Sequence, residues 1–332
     1  MNQTIATGHV MRCLAIADEL SENNIVCVFV IADDNAKEII RSKGYECIVL
    51  DSIWNDLDSE IDAISELIED RGIKRLLIDT YQVTDAYLRA LYKITYTIYI
   101  DDLNQFIYPV HSLVCYANYW KKFLFEKRYR KAVEDGVIDI MPQMYLGCDY
   151  VPLRREFRGE DIKGISEDVN EILVMSGGAD PFHAIKKILC NISLNKYSTI
   201  NVICGKYNTD YNELIQVYGV RENVHLYRAV DNLIDFMKSA DLAISAGGTT
   251  LYELCAVGTP TITYSIADNQ IDNVKQFDED KLMAYAGDLR GEEEIDFEAI
   301  IQRYSNVERR KMSLDMQKLV SVKGKWNEIV SN

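Results

Sequence analysis

The chain has no CxxC pair among its eight cysteines, no apolar run near membrane-spanning length, and fewer basic than acidic residues. Each absence excludes something. The cysteines (13, 27, 47, 115, 148, 190, 204 and 255) are scattered, most of them inside apolar runs. They read as buried thiols of a reducing cytoplasm, not as a disulfide frame. Four histidines without close Cys or His partners argue against a structural zinc site. A membrane span needs roughly 20 apolar residues, and none is present. No basic start leads into an apolar stretch with a small-residue cleavage site. The expectation is a cytoplasmic protein without stable membrane association. With 36 basic against 52 acidic residues the formal net charge is −16, which repels nucleic acid. It would repel a nucleotide too, so any phosphate must be held by local dipoles and a few cations.

What is present is an alternation of strand and helix patterns over 332 residues, enough for two domains. Val26–Ala32, Cys47–Leu50, Arg75–Asp79 and Tyr96–Asp101 read as strands of a first sheet. Helical spacing fills His9–Asn23, Asn35–Lys43, Asp56–Arg71 and Asp85–Tyr92. A second series has strands at Glu171–Met175, Thr199–Cys204, Val224–Tyr227, Leu242–Ser245, Thr261–Ile266 and Leu282–Tyr285. The fold class is α/β: two Rossmann-like domains, 1–160 and 161–332, with parallel sheets facing a central cleft. The seam falls in the charged, aperiodic stretch Arg158–Val169, and the last helix is a candidate to pack back on the first domain. Oligomeric state is not legible.

Two turns stand out. Ser245-Ala246-Gly247-Gly248-Thr249-Thr250 leaves an apolar strand and enters a helix. Glycines there allow close approach of a ligand, and the helix start offers free N–H donors and a positive dipole end, which suits phosphate. Ser176-Gly177-Gly178-Ala179-Asp180-Pro181 ends another strand, with Asp180 suited to cap a helix and Pro181 to open it. Glu253 lies three residues after Thr250, the spacing of a capping box; it equally suits a ribose diol, each oxygen accepting one O–H. Asp268 is a plausible helix cap beside the amides of Asn269 and Gln270, which could meet sugar or phosphate oxygens.

In the front half, Gly8-His9 opens the first helix. The dipole end suits a neutral imidazole that accepts a proton. Arg12, one turn on, could face the same site or serve an ion pair. Asp79, with Tyr81 behind it, and Asp101 end strands, where acids can hold a sugar, orient His9, or merely shape turns. Asp101 and Asp102 point opposite ways as neighbours on a strand, so one metal held by both is improbable.

Taken in order, these segments resemble a known family. The resemblance rests on Gly8-His9-Val10-Met11-Arg12-Cys13-Leu14, Ile78-Asp79-x-Tyr81, Ile100-Asp101-Asp102-Leu103, Leu146-Gly147-x-x-Tyr150-x-x-Leu153-Arg154-x-Glu156-Phe157, the Ser176–Pro181 turn, Gly247-Gly248-Thr249-Thr250-x-x-Glu253-x-x-Ala256-x-Gly258-x-Pro260, and Ala267-Asp268-Asn269-Gln270. The chain is similar to the UDP-sugar hydrolases of pseudaminic acid biosynthesis and the related spore-coat polysaccharide proteins. That resemblance implies the GT-B fold. It implies a UDP-sugar substrate and UDP product, with Gly247, Gly248 and Thr249 facing the diphosphate and Glu253 the ribose. It implies His9 as the general base for water attacking the anomeric carbon with inversion, and neither metal nor cofactor. The implied substrate is a UDP-linked 2,4-diacetamido-2,4,6-trideoxy sugar. A glycosyltransferase on the same scaffold and a non-catalytic nucleotide-sugar binding protein are the alternatives. The chain departs from the family pattern at Ala6, in place of a glycine, at Thr80, in place of a frequent histidine, and at Val322-Lys323-Gly324-Lys325. Met1-Asn2-Gln3-Thr4-Ile5 reads as too short and too polar for the strand expected before Gly8.

Overall fold

The computed structural model describes residues 8–159, 161–230 and 232–331. The departure at Ala6 and the expected strand before Gly8 lie outside them. The chain divides into two compact units, Met1–Arg155 with Lys323–Asn332, and Glu156–Val322.

The first unit runs α1 (Gly8–Glu22), β1 (Val28–Ile31), α2 (Lys37–Ser42), β2 (Glu46–Val49), α3 (Ile61–Arg71), β3 (Arg75–Ile78), α4 (Asp85–Tyr92), β4 (Tyr96–Ile100), β5 (Ser112–Cys115), α5 (Phe125–Glu134) and β6 (Gln143–Leu146). All its strand pairs are parallel, as crossover helices require. Among the described residues they make a β1–β2 pair and a four-stranded sheet in the order β3-β4-β5-β6. β5 and β6 are additions to the sequence reading. The core packs Leu88 and Leu91 of α4, Tyr99 of β4, Leu113 of β5 and Phe125 and Tyr129 of α5, all buried.

The second unit runs β7 (Glu171–Met175), α6 (Ala184–Cys190), β8 (Thr199–Cys204), α7 (Tyr211–Tyr218), β9 (Val224–Arg228), α8 (Leu233–Ser239), β10 (Leu242–Ala246), α9 (Thr250–Val257), β11 (Thr261–Ser265), α10 (Asp268–Glu279), β12 (Ala284–Asp288), α11 (Phe297–Gln302) and α12 (Asn306–Leu319). Its sheet is six-stranded and parallel, in the order β12-β11-β10-β7-β8-β9. Counted within the unit this is 3-2-1-4-5-6, the doubly wound order. β10 is buried along its whole length and β7 from Ile172 to Met175, which is why they read as apolar runs.

The final helix, α13 (Trp326–Ser331), belongs to the first unit. Its Trp326 is fully buried, and the Trp326 backbone N–H donates to Glu19 Oε1 of α1 at 2.6 Å. Among the described residues no helix is long and apolar enough to cross a membrane.

Candidate functional site

In the first unit the C-terminal ends of β3, β4 and β5 meet the start of α1. Gly8 and His9 open that helix, and Arg12 follows one turn later on the same face. Asp79, just past β3, receives His9 and Arg12. His9 Nδ1 lies 2.8 Å from Asp79 Oδ1, and Arg12 Nε donates to Asp79 Oδ2 at 2.6 Å. Arg12 Nη2 also donates to Asp79 Oδ1, and Cys13 Sγ approaches Oδ2 at 3.4 Å. The Arg12 fork grips the carboxylate through two nitrogens, which a lysine could not do. Its third nitrogen, Nη1, donates to Tyr116 Oη at 2.8 Å.

Burial alone would raise the Asp79 carboxyl. The Arg12 charge, the Arg12 hydrogen bonds and His9 outweigh it and hold Asp79 well below the usual carboxylate range. Asp79 is therefore a fixed anion. Burial likewise pushes the Tyr116 phenol up to about 12, partly offset by Arg12. The Tyr81 ring meets the His9 ring edge-on at 4.9 Å, and its hydroxyl donates to Asp102 Oδ2 at 3.1 Å. Asp102 Oδ2 also stands 3.8 Å from Arg12 Nη1.

Of the roles the sequence left open for Asp101, the geometry shows the turn. Asp101 is 1% exposed. Its carboxylate accepts from the Leu103 and Asn104 N–H groups, shaping the turn after β4. Burial raises its pKa despite those bonds. Its neighbour Asp102, in the bend after β4, instead accepts from Tyr81 Oη and joins the cluster.

In the second unit the two Gly-Gly turns follow β7 and β10, which are adjacent strands. The strand order reverses between them, and that is where open α/β sheets place their ligands. Gly177 has φ +83°, a left-handed conformation that a side chain would strain. Gly247 and Gly248 divide the work. A Cβ on Gly247 would collide with Val274 of α10, whereas Gly248 faces open space. Gly247 is thus a packing glycine, and Gly248 is the one a ligand can approach. The Leu251 and Tyr252 N–H groups are taken by the Gly248 and Thr249 carbonyls. Among the described residues the Thr249 and Thr250 N–H groups meet no acceptor, leaving two donors at the positive end of α9.

Three details differ from the sequence reading, and a fourth adds to it. α9 begins at Thr250 with Thr249 at its cap and no side-chain cap bond, so Glu253 sits one position too late for the capping box. Asp180 does cap α6, accepting from the Ala184 and Ile185 N–H groups, but Pro181 lies in a turn before that helix. Ala267, not Asp268, holds the cap position of α10; Asp268 is its first residue and pairs with Arg290 at 2.6 Å. Gln270 spends its carbonyl oxygen on the Ile266 N–H at 2.9 Å, while Asn269 is exposed.

Residues 172–317 match the model of the glycosyltransferase family 28 C-terminal domain. An uncharacterised protein of Methanocaldococcus jannaschii is 27% identical over 268 residues, 77% of this chain and 52% of that protein. The spore coat polysaccharide biosynthesis protein SpsG of Bacillus subtilis is 28% identical over 177 residues, 47% of this chain and 52% of that protein. A Helicobacter pylori protein named pseudaminic acid cytidylyltransferase and UDP-2,4-diacetamido-2,4,6-trideoxy-beta-L-altropyranose hydrolase is 32% identical over 140 residues, 41% of this chain and 24% of that protein. The chain spans about half the length of the first two relatives. MurG of Acinetobacter baumannii aligns with a TM-score of 0.67 at 11% identity, over 98% of this chain and 96% of that one. The chain has the GT-B fold.

On this GT-B scaffold three positioning residues escaped the sequence reading. Tyr116 was lost with β5. Gly205 follows β8 as a lone glycine, yet a Cβ there would strike the Gly177 and Gly178 carbonyls. Tyr264, fully buried in β11, donates its hydroxyl to the Met175 carbonyl at 2.8 Å, and its own carbonyl accepts from the Gly247 N–H at 2.8 Å. It braces both Gly-Gly turns at once. Only the alternation Thr261-Ile262-Thr263-Tyr264 hinted at a polar-tipped ring on a buried strand.

Proposed function

We propose that the chain hydrolyses a UDP-linked sugar, of the 2,4-diacetamido-2,4,6-trideoxyhexose class, to free sugar and UDP. The observation that carries this reading is the His9–Asp79 contact. Nδ1 lies 2.8 Å from Asp79 Oδ1 and 3.0 Å from Arg12 Nη2; with its proton on Nδ1, given to the carboxylate as the charged acceptor, the ring keeps a lone pair on Nε2. Nε2 meets no partner among the described residues. That is the arrangement of a general base, with Asp79 as its orienting group. His9 takes a proton from water, the oxygen attacks the anomeric carbon, and the bond to the UDP oxygen breaks with inversion.

The division of labour follows the units. The first supplies the base. The second binds UDP, with Gly248 admitting the diphosphate, the Thr249 and Thr250 N–H groups donating to it, and Glu253 accepting from the ribose hydroxyls. Dipole ends and N–H donors act where charge develops on the leaving group. The Helicobacter pylori relative carries a hydrolase name, which supports water as the acceptor.

The family 28 match favours a second reading, transfer of the sugar to an acceptor hydroxyl, since donor contacts would be the same. Incubating the protein with UDP-sugars separates them. Hydrolysis gives UDP and free sugar with no acceptor added. UDP release only with an acceptor establishes transfer, and binding without turnover establishes a carrier.

A further inference from the structure

The contact between His9 and Asp79 joins two separate elements. His9 and Arg12 ride on α1, and Asp79 follows the end of β3. Among the described residues β3 pairs only with β4 and forms the edge of its sheet. Two elements joined at one point can tilt about it. A second tie, away from the first, fixes the angle between them, and α13 supplies one.

The start of α13 is fastened to α1. Glu19 lies two turns beyond Arg12 on the same face of that helix and is 4% exposed. Its Oε1 accepts from the Trp326 N–H at 2.6 Å and from the Asn327 N–H at 3.4 Å. A buried carboxylate and the first N–H groups of a helix satisfy each other. The fit is close. Gly324 has φ +70°, and a Cβ there would run into the Glu19 carboxylate. Trp326 and Ile329, both fully buried, seat α13 itself. The end of α13 is fastened to β3. Arg75, the first residue of β3, donates from Nε to the Val330 carbonyl at 3.0 Å, and its guanidinium lies 4.0 Å over the Tyr96 ring of β4. One short helix thus holds both the helix that carries His9 and Arg12 and the strand that leads to Asp79.

We propose that α13 sets the His9–Asp79 contact from a distance, with Glu19 and Arg75 as positioning residues. Glu19 fixes α1 on α13, and Arg75 fixes β3 on the same helix. Loosening either tie lets α1 tilt against β3 and moves the imidazole relative to the carboxylate. A displacement of about 1 Å at a reacting group is enough to cost about 10²-fold in rate. The consequence for turnover rests on the general-base reading of His9; the contact itself can be measured without turnover.

The test is nuclear magnetic resonance of the full chain labelled with nitrogen-15 at its four histidines, 9, 111, 183 and 225. His9→Ala assigns the His9 ring signals, and Asp79→Asn shows where they move when the carboxylate is lost. In Glu19→Ala the His9 signals should shift toward their Asp79→Asn positions. Those of His111 in the first unit, and of His183 and His225 in the second, should stay in place. The kcat on a UDP-sugar should fall about 10–100-fold, with UDP affinity unchanged in calorimetry. Glu19→Gln keeps an acceptor oxygen and should restore most of both. Arg75→Gln, at a half-buried position, should move the His9 signals by less in the same direction. It carries the test should Glu19→Ala not fold. His9 signals that stay put in these variants while only thermal stability drops would overturn the proposal and leave α13 a strut. Displaced His9 signals with full turnover would uphold the positioning and remove His9 as the base instead.

Discussion

Asp79 in the first unit is gripped by a histidine, an arginine and a thiol, all through side chains. Gly247 and Gly248 in the second unit are held by backbone bonds and close packing. The two candidate sites are built by opposite means and should fail in opposite ways. A side-chain network depends on charge: remove one partner and a buried ion is left uncompensated. A backbone site depends on volume: it has no charge to lose, but a single methyl group displaces it.

The largest effect tests the chemistry of the first unit. His9→Ala is expected to cut turnover by about 10²–10⁴-fold while UDP affinity stays the same in calorimetry. Turnover left intact would remove His9 from the reaction. Next, Arg12→Met strands the Asp79 carboxylate and should cost about 3–5 kcal/mol in urea unfolding. Arg12→Lys should recover only part of that, because one ammonium cannot grip both carboxylate oxygens. Full recovery would reduce the fork to a point charge.

The second unit should respond to size. Gly205→Ala pushes on the Gly177–Gly178 carbonyls, and overpacking of this kind costs about 1–3 kcal/mol. It should weaken UDP binding without touching any charged group. Tyr264→Phe loses one buried hydrogen bond, about 1 kcal/mol, and loosens both turns together. Glu253→Gln should weaken UDP binding by about 1–3 kcal/mol in calorimetry.

The smallest effect is a matter of pH, and it sharpens the contrast most. Asp79 has a lowered pKa in the folded state, so its contribution is full above the ordinary carboxylate range. It is lost only as pH falls through the depressed folded value. The stability gap between the protein and Asp79→Asn should therefore stay constant from about pH 8 to 5 and close only in stronger acid. The Gly205→Ala gap has no titrating group behind it and should persist as pH falls. Two gaps closing together would mean the units are not built differently after all.

Much of the second unit was legible because buried parallel strands write themselves as apolar runs: Glu171–Met175 and Thr199–Cys204 appear with the bounds read from sequence. β5 and β6 escaped because each has four residues and lies next to irregular, proline-containing stretches. Periodicity has too few turns of pattern there to register. At the sites, residue type gave His9, Arg12 and Asp79, whose chemistry is local to their motifs. It could not give Asp102 over Asp101, because both are acids and only the folded turn after β4 tells them apart. Nor could it give Gly205 or Tyr264, whose roles exist only once β7, β8, β10 and β11 lie side by side. The capping box failed by a single residue, the margin by which helix starts are commonly misjudged.

The central claim is that a water activated by His9 breaks the sugar–UDP bond on the sugar side. Turnover of a UDP-linked diacetamido-trideoxyhexose in oxygen-18 water reads this directly by mass spectrometry. The label should enter the free sugar, stay out of UDP, and vanish with His9→Ala. Label in UDP, or UDP released only when an acceptor is supplied, would contradict it.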